Sequence, residues 1–290
     1  MRAPLVRDLI AAWTAETSIT DVVVVDRIDS TNAEVARRGH VGTAVLADVQ
    51  TAGRGRLGRA WTDVPYAGLA VSVLLPPPSA HLGWVPLATG LALRRAVLET
   101  TGYAADLKWP NDLVDPTSGR KLAGILCELS SAGVVIGAGL NVDHTEAELP
   151  VPTATSLALV LARAGESPGR VTPVGLAAEV GPETGPAISG EFGGEFAGHV
   201  SREDLAGRFL REVARRHTAL MEGGGAVGQL RAEYRDACAT IGTRVRIESG
   251  GRTWAADAIG VDDEGRLAVD GPDGRATVAA GDVHHVRPMT

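Results

Sequence analysis

The sequence predicts an α/β fold that ends in a small β-barrel, and three observations carry that expectation. Short apolar runs of β character alternate with amphipathic helical segments from residue 4 to about residue 239. Two of the runs, Leu122 to Leu129 and Val134 to Leu140, are joined by Ser130-Ser131-Ala132-Gly133 and read as a hairpin. From Ile241 onward the helical period stops, and short strands recur at roughly ten-residue spacing with turn residues between them.

In chain order, Pro4 to about Ala15 predicts a helix with Leu5, Leu9, Ile10 and Trp13 on one face. Val22 to Val25 reads as a short buried strand. Asp29-Ser30-Thr31-Asn32 leads into a helix over Ala33 to Arg38, with Thr31 and Glu34 at capping-box spacing. Val45 to Val49 is a second β segment and runs directly into a glycine-arginine loop, Gly53 to Arg59. Leu69 to Leu75 is a strand ended by Pro76-Pro77-Pro78. Trp84 to Glu99 has helical periodicity through Val85, Ala88, Leu91 and Val97, and Leu107 to Pro110 enters a turn. The hairpin follows, then a short apolar stretch, Ser156 to Leu161.

Residues 165 to 200 are rich in Gly and Pro and predict a surface insertion, most simply a spacer. Ser201 to Met221 is an amphipathic helix: Ser201 caps it, Glu203 and Asp204 fill its first turn, and Leu205, Phe209, Val213 and Leu220 form the apolar stripe. A second helix covers about Val227 to Ala239. The last strands are Arg244 to Ile247, Thr253 to Ile259, Arg266 to Val269 and Thr277 to Val278. The turns between and after them are Ser249-Gly250-Gly251, Asp262-Asp263-Glu264-Gly265, Pro272-Asp273-Gly274 and Gly281-Asp282. The chain thus divides into residues 1–239 and 240–290.

Composition narrows the function. The 290 residues carry 28 basic and 35 acidic side chains, a formal net charge of -7, which argues against charge-driven nucleic-acid binding. Anion binding must therefore be local, so clusters of arginine become informative. Cys127 and Cys238 lie far apart, outside any metal-ligand spacing, and read as small buried hydrophobes in a reducing, cytoplasmic compartment. The first twenty residues include acids and no long apolar run, unlike a signal peptide, and no stretch approaches the ~20 apolar residues that cross a bilayer.

Three segments carry chemistry. Gln50-Thr51-Ala52-Gly53-Arg54-Gly55-Arg56-Leu57-Gly58-Arg59 combines glycines, which let a backbone approach a ligand closely, with arginines, whose forked donors suit carboxylate and phosphate. Such a loop suits a clamp that orders around an anion. Its Gly53-x-Gly55-x-x-Gly58 spacing also matches a dinucleotide fingerprint. However, no helix opens after it and Pro76 to Pro78 stand where the acidic residue belongs. The second segment is Lys108-Trp109-Pro110-Asn111-Asp112-Leu113, where Lys and Asp at a strand end can hold a phosphate and a Mg²⁺. Taken alone it is also a common proline turn. The third is Arg120-Lys121-Leu122-Ala123-Gly124-Ile125-Leu126, a lysine entering an apolar strand, with Gly124 marking a close contact. Its plain alternative is a snorkelling lysine at a sheet edge.

In this order and spacing the segments resemble the signature of the biotin–protein ligase family: a GRGRxGR loop, then KWPND, then KxxGIL. Ser30-Thr31-Asn32 upstream and Gly137-Ala138-Gly139-Leu140-Asn141 downstream resemble two further family elements, so the match covers about residues 20 to 160. The resemblance implies an α/β catalytic domain on a mixed β-sheet flanked by helices, like that of class II aminoacyl-tRNA synthetases, followed by an SH3-like C-terminal domain. It implies an ATP-dependent ligase that makes biotinyl-5′-AMP and transfers biotin to a lysine of a carrier protein.

Carried over residue by residue, the resemblance places Ser30, Thr31, Asn32, Gln50, Gly53, Arg54, Gly55, Arg56, Lys121 and Gly124 around biotin. Buried ureido donors and acceptors need matched partners, and each orphan costs roughly 1–3 kcal/mol. Arg54, Arg56 and Lys121 are the expected catalytic residues, because bringing a carboxylate to an α-phosphate requires positive charge at the reacting centre. Arg56, Arg59, Trp61, Lys108, Asn111 and Asn141 are expected on the ATP and adenylate side, with Asp112 helping to hold Mg²⁺. The implied acceptor is the biotin carboxyl carrier domain of acetyl-CoA carboxylase or a related acyl-CoA carboxylase. About thirty residues precede Ser30, too few for the DNA-binding domain of the family's repressors, and with the acidic charge this implies a ligase without repressor function or DNA partner. No membrane partner is expected, and since the family has monomeric and dimerising members, a monomer or weak homodimer is expected. Leu57 stands where relatives often carry a polar residue, and the 165–200 insertion has no family counterpart. Arg244, Arg246 or Arg266 could reach the nucleotide, although solvated strand faces describe them equally well. A lipoate ligase of the same fold, a non-catalytic biotin-binding module and a nicotinamide-dependent oxidoreductase are the rival readings. The arginine loop, Lys121 and the missing fingerprint context respectively disfavour them.

Overall fold

The computed structural model describes residues 2–166, 200–249, 251–279 and 285–288. The expected insertion falls almost wholly outside these residues, as does the turn at Gly281-Asp282. The first part of the chain contains α1 (Arg7–Ala11), β1 (Asp21–Ile28), α2 (Thr31–Arg38), β2 (Thr43–Gln50), β3 (Gly53–Arg54), β4 (Ala60–Trp61), β5 (Gly68–Leu75) and α3 (Val85–Thr101). Then follow β6 (Asp106–Lys108), β7 (Asp112–Val114), β8 (Lys121–Ser130), β9 (Gly133–Asn141), α4 (Leu157–Glu166), α5 (Arg202–Glu222) and α6 (Gly224–Ala237). The chain ends in β10 (Arg244–Ser249), β11 (Arg252–Val261), β12 (Leu267–Gly271), β13 (Gly274–Val278) and β14 (His285–Pro288).

Among the described residues β1-β2-β5-β9-β8-β7-β6 form one mixed sheet. β1 and β2 run parallel across the α2 crossover, and the remaining neighbours are antiparallel. Alternation along the strands sends side chains to two faces. Ala44, Leu46, Val71, Val73, Val134 and Ile136 point into the main core, where α3 and α5 pack. Val45, Leu74 and Val135 point to the other face and meet Val35 of α2. That helix packs mainly on β2, β5 and β9 and touches β8 through Asn32, so on the same face β7 and the start of β8 line a cleft beside its N-terminus. β10 to β14 form a separate antiparallel sheet in the order β13-β12-β11-β10-β14.

The α/β expectation and the hairpin at residues 130 to 133 stand as read. Ser201 caps α5, accepting from the Asp204 amide at 3.1 Å, and Leu205, Phe209, Val213 and Leu220 are all buried. Several details differ. Val22 to Val25 is part of a longer edge strand in which only Val22 is fully buried, because an edge strand has one free flank. Leu9 faces outward, since the helix there shortens to α1 and a 3-10 turn. The cap of α2 is Ser30, whose hydroxyl accepts from the Ala33 amide, rather than Thr31. The glycine-arginine loop is a hairpin of β3 and β4, and the stretch from Ser156 opens α4. β14 carries a strand that periodicity did not single out.

Candidate active site

The floor of the site is built from small residues in register. Asp112 of β7, Gly124 of β8, Gly139 of β9 and Ala70 of β5 lie side by side across the sheet. One step along, Leu126, Gly137 and Ser72 do the same. All lie on the sheet face that carries α2, beside its N-terminal end. A methyl group added at Gly139 would sit 2.5 Å from Trp61 Cε2, and one at Gly137 would sit 2.0 Å from Asn32 Oδ1. The glycines therefore make room for an indole and an amide, as a glycine inside a strand usually does for some close neighbour.

Over this floor opens a cleft of about 890 Å³. It is lined by Ser30, Thr31 and Asn32 at one end, by Arg54, Gly55, Arg56, Arg59 and Trp61 from the arginine hairpin, and by Lys108, Asn111, Asp112, Lys121, Gly124 and Asn141 opposite, with Gln50 between. Every residue expected at the site lines it except Gly53. That glycine lies beneath the hairpin, where a Cβ would sit 2.7 Å from the Trp61 carbonyl oxygen. Five cationic side chains, Arg54, Arg56, Arg59, Lys108 and Lys121, face one carboxylate, Asp112. In a chain of net charge -7, that is a local excess of positive charge, of the kind that could hold an anion.

Each end has its own chemistry. The Thr31 amide and hydroxyl donate to Gln50 Oε1 at 2.9 and 3.1 Å. Ser72 Oγ lies 2.7 Å from Thr31 Oγ1 and 2.6 Å from Asn32 Oδ1. Asn32 in turn donates to Glu128 at 2.7 Å. Ser30 accepts at the helix cap while Thr31 faces Gln50, so of the adjacent hydroxyls only the first is used in capping. At the other end Lys121 Nζ lies 2.6 Å from Asp112 Oδ1 and 5.8 Å from the Trp61 ring centre. Arg56 donates to Asn111 Oδ1 at 3.2 Å. Burial weakens the hold of the Arg56 guanidinium on its proton, and Asp112 opposes that effect. Asn111 and Asn141 use their side-chain amides on the carbonyls of Ile125 and Thr155, at 2.9 and 3.0 Å. Both therefore fix backbone as well as line the cleft. Leu57, at the hairpin tip, is half exposed with φ 58°, a left-handed conformation that a non-glycine residue adopts at some cost.

Gly137 and Gly139, read from the sequence as part of a family element but given no role at the site, are spaced for one face of a strand. Two contributors were missed. Ser72 sits in an otherwise apolar strand, and Asp63 is an isolated acid in a loop that no motif marks.

The biotin/lipoate A/B protein ligase family model matches residues 24–141, and the biotin protein ligase C-terminal domain model matches residues 240–286. The chain is 35% identical over 276 residues to a biotin–[acetyl-CoA-carboxylase] ligase of Mycobacterium tuberculosis, covering 91% of this chain and 88% of that one. It is 33% identical over 269 residues to the protein of that name from Paracoccus denitrificans, covering 89% and 97%. In fold it resembles the biotin protein ligase of Aquifex aeolicus solved with biotin and ATP, with a TM-score of 0.71 and 23% identity, covering 93% of this chain and all of the other.

Proposed function

From the premise that the chain belongs to the biotin–protein ligase family, we propose that this cleft joins biotin to ATP and hands the biotin on to a carrier lysine. The enzyme is an ATP-dependent ligase that forms biotinyl-5′-AMP and biotinylates carboxylase carrier proteins. One observation supports the residue assignments best. A polar, internally hydrogen-bonded end at Thr31 and Gln50 and a cationic end at Arg56 and Lys121 share a single cleft. Biotin has that polarity, with a ureido group at one end and a carboxylate at the other.

In the proposed chemistry, a biotin carboxylate oxygen attacks the α-phosphorus of ATP and pyrophosphate leaves. Lys121, Arg54 and Arg56 offset the repulsion between the two anions and the charge that develops between them. Arg59 and Lys108 take the remaining phosphates, with Trp61, Asn111 and Asn141 on the adenylate side. The carrier's lysine amine then attacks the acyl carbon and AMP leaves. Closure of the arginine hairpin keeps water from the mixed anhydride until the carrier docks.

Mg²⁺ fits this site through one protein ligand. Asp112 is the carboxylate in the cleft lining, and among the described residues no cluster of three or more His, Cys, Asp or Glu side chains could hold an ion alone. A magnesium ion held by Asp112 and phosphate oxygens matches the usual coordination of that metal with nucleotides, and would supply charge neutralisation on the triphosphate. We further assign residues 1–239 to the catalytic domain and 240–290 to the C-terminal domain. The acceptor is assigned as a biotin carboxyl carrier domain of acetyl-CoA or acyl-CoA carboxylase, met in the cytoplasm by a monomer or weak homodimer. No helix among the described residues is long and apolar enough to cross a membrane.

The test is direct. The purified chain is mixed with ATP, Mg²⁺, biotin and a carrier domain, and the carrier's intact mass is recorded, with lipoate in a parallel reaction. A biotinyl adduct is expected. A lipoyl adduct without a biotinyl one would overturn the assignment.

A further inference from the structure

We propose that Asp63, outside every motif and outside the cleft lining, is a positioning residue for the biotin end of the site: its carboxylate fixes which way the Gln50 amide faces. The arginine hairpin begins after Gln50 and ends at Trp61, and Asp63 holds both feet. Its Oδ2 accepts from the Gln50 backbone amide at 2.9 Å and from Gln50 Nε2 at 3.2 Å. Its Oδ1 accepts from the Trp61 indole at 2.9 Å.

The consequence for Gln50 follows from donor and acceptor counting. With Nε2 drawn to a carboxylate, Oε1 must face Thr31, which supplies an amide and a hydroxyl donor. The reversed amide would set Oε1 against the carboxylate and its NH₂ against the Thr31 N–H, two repulsive contacts. The chain of polarity continues one residue further. Because the Thr31 hydroxyl donates to Gln50 and accepts from Ser72 at 2.7 Å, its second lone pair is left for a ligand N–H. A cyclic urea has two N–H donors flanking one carbonyl, so the orientation set by Asp63 suits that group and disfavours its inverse. Burial raises the Asp63 carboxyl pKa, while the N–H groups of Gln50 and Trp61 favour the charged form that the lock requires. The inference rests on placing the ureido group at the Thr31–Gln50 end.

Asp63→Asn, in the full chain, keeps the shape but can donate as well as accept, so it no longer dictates the Gln50 orientation. Pyrophosphate release is followed against biotin and against ATP, and folding is checked by thermal unfolding. The expected result is a biotin KM raised about tenfold, in line with loss of a charge-assisted hydrogen-bond network, with the ATP KM changed less than about twofold. Paired with Gln50→Ala, the two losses should combine to clearly less than their product, because one residue acts through the other. A biotin KM within about twofold of wild type, or a full multiplicative loss in the double variant, would overturn the proposal. If the Asn variant does not fold, Asp63→Glu replaces it. A carboxylate displaced by one methylene cannot hold Gln50 and Trp61 together, so an unchanged biotin KM would again refute the role. Failure of the underlying site reading would look different: wild type itself would release no pyrophosphate in response to biotin.

Discussion

Lys121 and Asp112 stand 2.6 Å apart, so the lysine assigned to bridge two anions begins with its charge engaged by the carboxylate assigned to the metal. Removing that countercharge should favour an anionic ligand and disfavour a metal-bound one. Asp112→Asn is therefore expected to bind biotin as tightly as wild type or tighter by titration calorimetry without nucleotide, while its KM for Mg-ATP rises about tenfold or more. Weaker biotin binding with an unchanged nucleotide KM would refute this division of labour. Arg56, from the hairpin, reaches across to Asn111 at 3.2 Å. Arg56→Ala should lose biotinyl-5′-AMP to solvent about tenfold faster, measured by gel filtration of the preformed complex. Equal retention would remove the clamp from the mechanism. A third residue bears on stability. His144 is buried, neither ring nitrogen has a hydrogen-bond partner among the described residues, and burial lowers its pKa below the ordinary 6.5, with nearby Arg2 adding to the effect. The unfolded chain thus takes up a proton first as pH falls. The His144 contribution to stability is intact above pH 6.5 and is lost as the pH drops toward the lower folded value. Denaturant unfolding at pH 7.5 and 5.5 should show this loss, and His144→Phe should reduce it; an equal loss in the variant would refute the assignment.

At the scale of elements, the site exists because α2 packs mainly on three strands, and because β8 and β9 carry glycine on that face beside its N-terminus. Gly139→Ala tests the point. Its methyl group must displace the Trp61 ring, so biotin-dependent turnover should fall at least about tenfold while the melting temperature shifts by only a few degrees. Unchanged turnover would mean that the indole position is irrelevant. Much of this was legible beforehand. The strand-loop-helix at Ser30, the arginine segment, the lysine entering β8 and the capped α5 are local patterns, and residues 30 to 141 converge on one cleft as the motif order implied. What local pattern could not give is sheet order. Alternation shows that Gly137 and Gly139 share a face but not that Gly124 lies beside Gly139, which depends on the register of β8 against β9. Asp63 and Ser72 were invisible for the same reason. Their partners are residues brought to them by topology, and β14 is too short to announce itself by periodicity.

For the whole molecule, the C-terminal sheet is fastened to the segment that carries Lys108, Asn111 and Asp112 and to Trp84. Trp84 and Trp109 donate their indole N–H groups to the carbonyls of Asp262 and Gly265, at 3.1 and 3.2 Å. The Trp109 amide also donates to Thr240 at 3.0 Å. Trp109 separates Lys108 from Asn111 and Asp112, so the turn at residues 262 to 265 supports the segment assigned to ATP. Trp109→Phe should raise the ATP KM several-fold more than the biotin KM, and equal effects on both would reduce this contact to general stability. The account as a whole depends on the arginine hairpin and Lys121 meeting a carboxylate and a phosphate in one place. The most direct measurement is a crystal structure of the chain with biotin and a non-hydrolysable ATP analogue. The predicted result has Lys121 Nζ withdrawn from Asp112 and within hydrogen-bond distance of both the biotin carboxylate and the α-phosphate, with Arg56 closed over them. Lys121 still paired with Asp112, and Arg54 and Arg56 directed into bulk solvent with both ligands bound, would contradict it.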